Sequence, residues 1–118
     1  GLINLDTNGA VTWTQEFFGT GSEEIRGLDV DDQGDLYFTG IFSNQVTLGG
    51  PLLSGIGGHD IMLAKFSSAG DHIWSKSYVG ERFDQALGLD VQGPIVYLTG
   101  RFTERLQFDA LTLDSPNQ

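Results

Sequence analysis

Cysteine is absent from the 118 residues, and basic side chains number only six. The first absence removes disulfides, thiolate nucleophiles and cysteine-ligated zinc, so packing and hydrogen bonds alone must hold the fold. The second leaves sixteen Asp and Glu in large excess, a net charge of −10 with His neutral, which repels nucleic-acid phosphates and anionic lipid headgroups. No apolar run approaches the roughly 18–20 residues that cross a bilayer as a helix. No basic segment leading into an apolar stretch marks a signal peptide. Helical spacing is missing too, because Gly, Thr, Asp or Ser interrupts every candidate stretch within two turns. The length suits one small domain. What abounds is glycine, 17 residues, about twice the usual share and without the collagen triplet, which points to many tight turns.

The chain repeats itself. Ile25-Arg26-Gly27-Leu28-Asp29-Val30 recurs as Ala86-Leu87-Gly88-Leu89-Asp90-Val91, 61 positions on. Leu36-Tyr37-Phe38-Thr39-Gly40 recurs around Tyr97-Leu98-Thr99-Gly100 at an offset of 60, so one residue is lost in the turn between the two motifs. Leu5 to Gly9 with Trp13 and Gly19 matches Phe66 to Gly70 with Trp74 and Gly80, again 61 positions on. One unit is whole and is flanked by the second half of a copy before it and the first half of a copy after it.

Each unit reads as four short strands. Glu24 to Val30 alternates and leads through Asp31-Asp32-Gln33-Gly34-Asp35, a turn composition, into Leu36 to Phe42. A Gly-rich connection holds a short extended piece at Val46 to Leu48. Ile61 to Phe66 and His72 to Val79 then form a second hairpin around Ser67-Ser68-Ala69-Gly70-Asp71. The second strand is apolar on both sides, with Leu36, Phe38 and Phe42 on one and Tyr37 and Ile41 on the other. A two-layer sandwich buries only one face of each sheet, whereas sheets stacked radially bury both. The expected fold is therefore all-β, a β-propeller of four-stranded antiparallel blades. Residues 1–23 give the outer half of a preceding blade, 24–85 a complete blade and 86–118 the inner half of a following one. Glu24 to Val30 is expected innermost, with Gly27 and Gly88 permitting close approach, and Trp74 and Tyr78 are expected to pack on the neighbouring blade as Trp13 and Phe17 do one unit earlier.

Residues 29–40, with Val30-Asp31, a Gly34 turn and Tyr37-x-x-Gly40, and residues 60–74, with Asp60-x-x-x-x-Lys65 and a Gly70 turn before Trp74, resemble the bacterial β-propeller repeats often called SBBP repeats. The likeness covers almost the whole chain, and it implies a scaffold or binding role in a secreted or cell-surface bacterial protein, with no catalytic residues to carry over. Two departures stand out: Gln92-Gly93-Pro94 lacks the acidic turn, and Asn4 stands where the pattern has Lys. Two blades cannot close a ring, and open edges are seldom left exposed. Closure would come from the rest of a longer chain or from identical copies, three or four of which give roughly the four to eight blades usual for propellers.

Candidate sites are few. Asp29, Asp31, Asp32 and Asp35 around Gly34 offer oxygens for calcium, but no terminal bidentate Glu follows, and a solvated hairpin turn explains them better. Glu23 and Glu24 in one inter-blade link, and Arg82 and Asp84 in the next, gather on the face where propellers commonly bind. His59 and His72 lack metal-ligand spacing. No serine sits in a nucleophile elbow, and no helix follows Gly49-Gly50 or Gly57-Gly58 to make a phosphate cradle. Glu104 and Asp109 are the kind of acid pair that arises by chance among sixteen. The sequence thus points to a non-catalytic scaffold or interaction module without cofactor, binding an unidentified protein or glycan but neither nucleic acid nor membrane. The alternative is a carbohydrate-binding propeller of several identical chains with exposed Trp13 and Trp74. A hydrolytic propeller with an axial metal ranks last, since the inner strands offer only Asp29 and Asp90.

Overall fold

The computed structural model describes residues 1–56, 58–80, 85–101, 105–108 and 111–114, and all regular structure within them is β-strand. A leading hairpin of β1 (Leu2–Leu5) and β2 (Val11–Gln15) is followed by the short β3 (Phe18–Gly19). Next come β4 (Glu23–Val30), β5 (Leu36–Phe42), the small pair β6 (Gln45–Thr47) and β7 (Leu52–Ser54), and then β8 (Asp60–Phe66) and β9 (His72–Gly80). The order of β4 to β7 is repeated by β10 (Gln85–Gln92), β11 (Ile95–Arg101), β12 (Arg105–Phe108) and β13 (Leu111–Asp114).

Three hairpins are closed by one five-residue device. Gly9, Gly34 and Gly70 hold its fourth position at φ +84, +85 and +91°, a left-handed conformation that costs any residue with a Cβ. The first residue, Asp6, Asp31 or Ser67, accepts that glycine's N–H on its carbonyl oxygen at 3.0–3.1 Å. Its side chain also accepts the fifth residue's N–H at 2.9, 2.9 and 3.1 Å. Asp and Ser therefore recur here because the turn leaves amides for a short side-chain oxygen to accept. The trailing hairpin differs: its strands pair up to Gln92 and Ile95, leaving only Gly93 and Pro94 to turn, with Gly93 at φ +58°. The residue lost between the repeated motifs is lost here.

Registers repeat as faithfully as residues. Asn4 pairs with Trp13 as Lys65 pairs with Trp74, and both hairpins slip one residue later. Gly27 pairs with Thr39 as Gly88 pairs with Thr99, each just after a bulge. Gly40 and Gly100 are fixed by that bulge, since a Cβ on either would run into the carbonyl oxygen of Glu24 or of Gln85.

The main sheet runs β13-β12-β9-β8-β5-β4, every neighbouring pair antiparallel. It is wider than four strands because β12 adds to the end of β9, with Gln107 opposite Val79 and Leu106 opposite Gly80. The same contact occurs one unit earlier, where β6 pairs with β3 through Thr47 opposite Phe18 and Val46 opposite Gly19. The single extended piece expected at Val46 to Leu48 is thus a strand pair, β6 with β7, and it gives the backbone of β3 its partner.

β5 is buried along its whole length. On one face, Leu36, Phe38, Phe42, Met62, Ala64 and Phe66 join Leu2 and Phe17 of the leading segment in a single core, with Trp13 packed against it. Phe17 stacks on Phe38 at 5.3 Å between ring centroids and meets Phe66 edge-on at 5.9 Å. On the other face, Ile61, Leu63 and Tyr78 pack with Ala86 of β10, and Trp74, Leu89 and Leu98 complete the cluster. The sequence expected Gly27 and Gly88 to allow close approach near a crowded axis. Gly27 lies close, since a Cβ there would be 3.2 Å from the Leu89 amide nitrogen, whereas among the described residues a Cβ on Gly88 would meet Thr99 Oγ1 of its own hairpin alone, at 2.8 Å.

Candidate functional site

Two concavities open where the trailing hairpin lies against the central sheet. The polar one, about 340 Å³, is lined by Asp31, Asp32, Gln33, Tyr37, Lys65, Gly93 and Pro94. Antiparallel register puts Tyr37 opposite Lys65, and Lys65 opposite Trp74, on one face of three adjacent strands. Lys65 Nζ consequently sits 5.2 Å over the Tyr37 ring, and the ring meets Trp74 edge-on at 6.2 Å. The Tyr37 hydroxyl donates to Asp31 Oδ2 at 3.2 Å, while Asp31 Oδ1 accepts the Gln33 and Asp35 amides. Lys65 Nζ lies 3.8 Å from Asp35 Oδ2.

These contacts set the charge states. Burial pushes the Asp31 carboxyl up, but the amides of Asp35 and Gln33, the Tyr37 hydroxyl and the Lys65 charge together hold it below its ordinary value. Lys65 is held above its ordinary value by a hydrogen bond with Tyr37 and by the Asp35 and Asp31 charges, against a smaller desolvation. The lining is therefore one engaged ammonium beside the two carboxylates of Asp31 and Asp32, a surface for cationic or hydroxyl-rich groups rather than for anions.

The second concavity is an apolar groove of about 400 Å³ between β8, β9 and β11, lined by Leu63, Trp74, Lys76, Tyr78, Pro94, Val96 and Leu98. Trp74 and Tyr78 pack toward the trailing hairpin, but the groove remains open beside them.

Asp60 is the one charged side chain buried among the described residues. Its Oδ2 accepts the Ile56 amide at 2.7 Å and its Oδ1 the Gly80 amide at 3.0 Å, so it ties the loop before β8 to the end of β9. A Cβ on Gly55 would collide with it. Burial raises its carboxyl above the ordinary value, more than the two amides and the His59 charge pull it down.

The four aspartates considered for calcium do not converge. Asp31 is spent on its turn and on Tyr37, Asp35 faces Lys65, Asp32 is exposed, and Asp29 points across to β10, where its Oδ2 accepts the Val91 amide at 2.7 Å. Among the described residues no group of three or more His, Cys, Asp or Glu could hold a metal ion. Glu23 and Glu24 are exposed at the start of β4, and Glu24 pairs with Arg26 at 3.1 Å. Arg82 and Asp84, like Glu104 and Asp109, lie outside the described residues. His59 Nε2 is 3.4 Å from Ser22 Oγ, and His72 Nε2 is 3.0 Å from Ser75 Oγ, in separate places. Trp13 is committed to packing: its ring covers Gly70 and its Nε1 donates to the Ser68 carbonyl oxygen at 3.0 Å.

Tyr37, Asp60 and Lys65 were not among the sequence-derived candidates. Their signal was the spacing of Tyr-x-x-Gly and Asp-x-x-x-x-Lys, which registers each of them against a specific partner strand. No family model matches the chain, and no curated protein does, so the resemblance to SBBP repeats rests on the quoted residues alone.

Proposed function

We propose that this chain is a stretch of β-propeller acting as a non-catalytic scaffold and interaction module in a secreted or cell-surface bacterial protein. The observation that carries the reading is the burial of β5 on both faces of its sheet, with Leu2 and Phe17 of the leading segment on one face and the trailing hairpin on the other. A sheet dry on both faces is what radial stacking requires and what a sandwich does not supply. The straps β3–β6 and β9–β12 link each unit to the next by the same pairing, which suits a rigid support. Binding would fall to the loops at the ends of the stack, including the exposed Thr20-Gly21-Ser22 link beside Glu23 and Glu24. The bacterial and extracellular setting is what the repeat resemblance implies.

The carbohydrate-binding alternative needs both tryptophans free, and the engagement of Trp13 with Ser68 and Gly70 weighs against it. Acrylamide quenching decides between the two. In a Trp13→Phe chain, the scaffold reading expects Trp74 quenching to be indifferent to added mono- and oligosaccharides. Saturable protection by a sugar would replace it with the carbohydrate reading. A structure of an assembled ring or longer parent that failed to set residues 23–30 and 85–92 about a common axis would remove the propeller itself.

A further inference from the structure

We infer that Asn8, in the turn of the leading hairpin, is this chain's site of spontaneous deamidation, and that Asp6 restrains the reaction by holding that turn closed. The inference stands apart from the propeller reading, since it needs only this turn and water.

Asparagine is among the thermolabile side chains. It is lost when the backbone nitrogen of the next residue, deprotonated by hydroxide, bonds to its Cγ. The side-chain amide leaves as ammonia and a five-membered imide closes. Water then opens the imide at either carbonyl, giving aspartate or isoaspartate, so one amide is exchanged for one carboxylate and nothing is oxidised or reduced. A Cβ on the following residue crowds the attacking nitrogen, and glycine has none. Of Asn4, Asn8, Asn44 and Asn117, only Asn8 precedes a glycine. Gln33-Gly34 and Gln92-Gly93 would have to close a six-membered ring, which is slower.

The structure leaves this pair in water. Asn8 and Gly9 are both exposed. Ala69, the repeat equivalent of Asn8, is exposed even though Trp13 covers the Gly70 beside it, so a side chain lying over Gly9 in the same way would still leave Asn8 accessible. The restraint is Asp6. Its carbonyl oxygen accepts the Gly9 N–H at 3.0 Å, and its Oδ1 accepts the Asn8 and Ala10 amides at 2.8 and 2.9 Å. The attacking nitrogen is therefore engaged, and so are the amides on either side of it. Attack on Cγ requires the turn to open, and opening gives up these bonds, each worth roughly a factor of five in equilibrium. Gln33 and Ala69 hold the same place in the other two turns of this design, so the reaction has one address.

The test is a time course in warm, mildly alkaline buffer, with anion exchange separating the more negative product and peptide mapping by mass spectrometry locating it. In the native chain Asn8 should convert ahead of every other asparagine, and more slowly than in the same chain unfolded in guanidinium chloride. Asp6→Ala should speed the native reaction about threefold or more, because two amides lose their acceptor. Asp6→Ser, which copies the turn-closing role of Ser67, should stay closer to the parent rate. Asp31→Ala removes the matching acceptor from the central turn and should leave the Asn8 rate unchanged, and Asn8→Gln should abolish the product. Another asparagine converting first, a native rate equal to the unfolded one, or equal rates in Asp6→Ala and the parent would each overturn the inference. Asp31→Ala accelerating the reaction as much as Asp6→Ala would also overturn it, by moving the restraint from this turn to the stability of the whole fold. Far-UV circular dichroism identifies any variant that fails to fold. Should Asp6→Ala be one of these, the parent decides alone: hydrogen-exchange protection of the Gly9 amide should match the ratio of unfolded to native rates, and an unprotected Gly9 amide beside a slow Asn8 would remove Asp6 as the restraint.

Discussion

The two faces of the central sheet are made from the same repeat and are covered differently. The face toward the leading hairpin is covered by the leading segment, whose Leu2 and Phe17 join Phe38, Phe42, Phe66 and Met62 in one closed core. The face toward the trailing hairpin meets β10 and β11, which bring Ala86, Leu89 and Leu98 against Ile61, Leu63 and Tyr78, with Trp74 packed against the same cluster. The open groove lies on this second face, between β8, β9 and β11. The two faces thus differ in which hairpin covers them.

The sharpest way to break that comparison is to remove a large side chain from each side. Phe38→Ala or Phe66→Ala, fully buried on the closed face, should cost about 3–5 kcal/mol. That is a large share of the stability of a domain this size, and urea denaturation should show it as a collapse of the midpoint. Leu98→Ala on the partly covered face should cost well under half as much. Equal losses would mean that the two faces are equally packed and that the groove is closed in solution.

Asp60 comes next, because it is buried and holds two amides. Asp60→Ala should cost about 1–3 kcal/mol by leaving the Ile56 and Gly80 amides without their acceptor. Asp60→Asn should recover part of that, since one oxygen can still accept. Retention of full stability in the alanine variant, read from the same urea curves, would show that water replaces the carboxylate.

Gly27 and Gly88 sharpen the comparison at a smaller scale. Gly27→Ala pushes a methyl into Leu89 and should lose about 1–3 kcal/mol, as overpacked sites do. Gly88→Ala meets, among the described residues, only the rotatable Thr99 hydroxyl and should change stability little. A pair of variants with matched urea midpoints would contradict the close approach of β10 to β4.

The unequal legibility of these features has physical causes. The hairpins could be read because their turns demand Gly at positive φ with Asp or Ser three residues before it, a requirement met by Gly9, Gly34 and Gly70. The double-sided burial of β5 could be read because Tyr37 and Ile41 are apolar where an exposed face would be polar. The straps could not, since Gln45-Val46-Thr47 is three residues long and its partner, Phe18-Gly19, is defined only once β2 has been laid on the central sheet. Asp60 stands in a Gly-rich loop that looks solvated, and only the arrival of Gly80 from 20 residues on buries it. The acids of residues 29–35 looked like a cluster because sequence does not tell which way each faces. Asp29 turns to β10 while Asp31 turns into its own loop.

The smallest effect is a difference in sign. Asp29 bridges the two sheets by accepting the Val91 amide, and that bond, followed by the one from Val30, holds its carboxyl below the ordinary 3.8. A carboxyl depressed by folding contributes stability above pH 3.8 and loses it as pH falls through the folded value. Asp60, raised above 3.8 by burial, runs the other way: its contribution is complete below pH 3.8 and is lost as pH rises through its folded value. Asp29→Asn should therefore flatten the acid limb of a stability–pH curve below 3.8, and Asp60→Asn should flatten the segment just above it. The measurement is the urea midpoint from pH 2.5 to 7 for the two variants and the parent. Identical acid limbs in the parent and Asp29→Asn would mean that the trailing hairpin is not held to β4 through this carboxylate, leaving Leu89 against Gly27 as the contact that joins them.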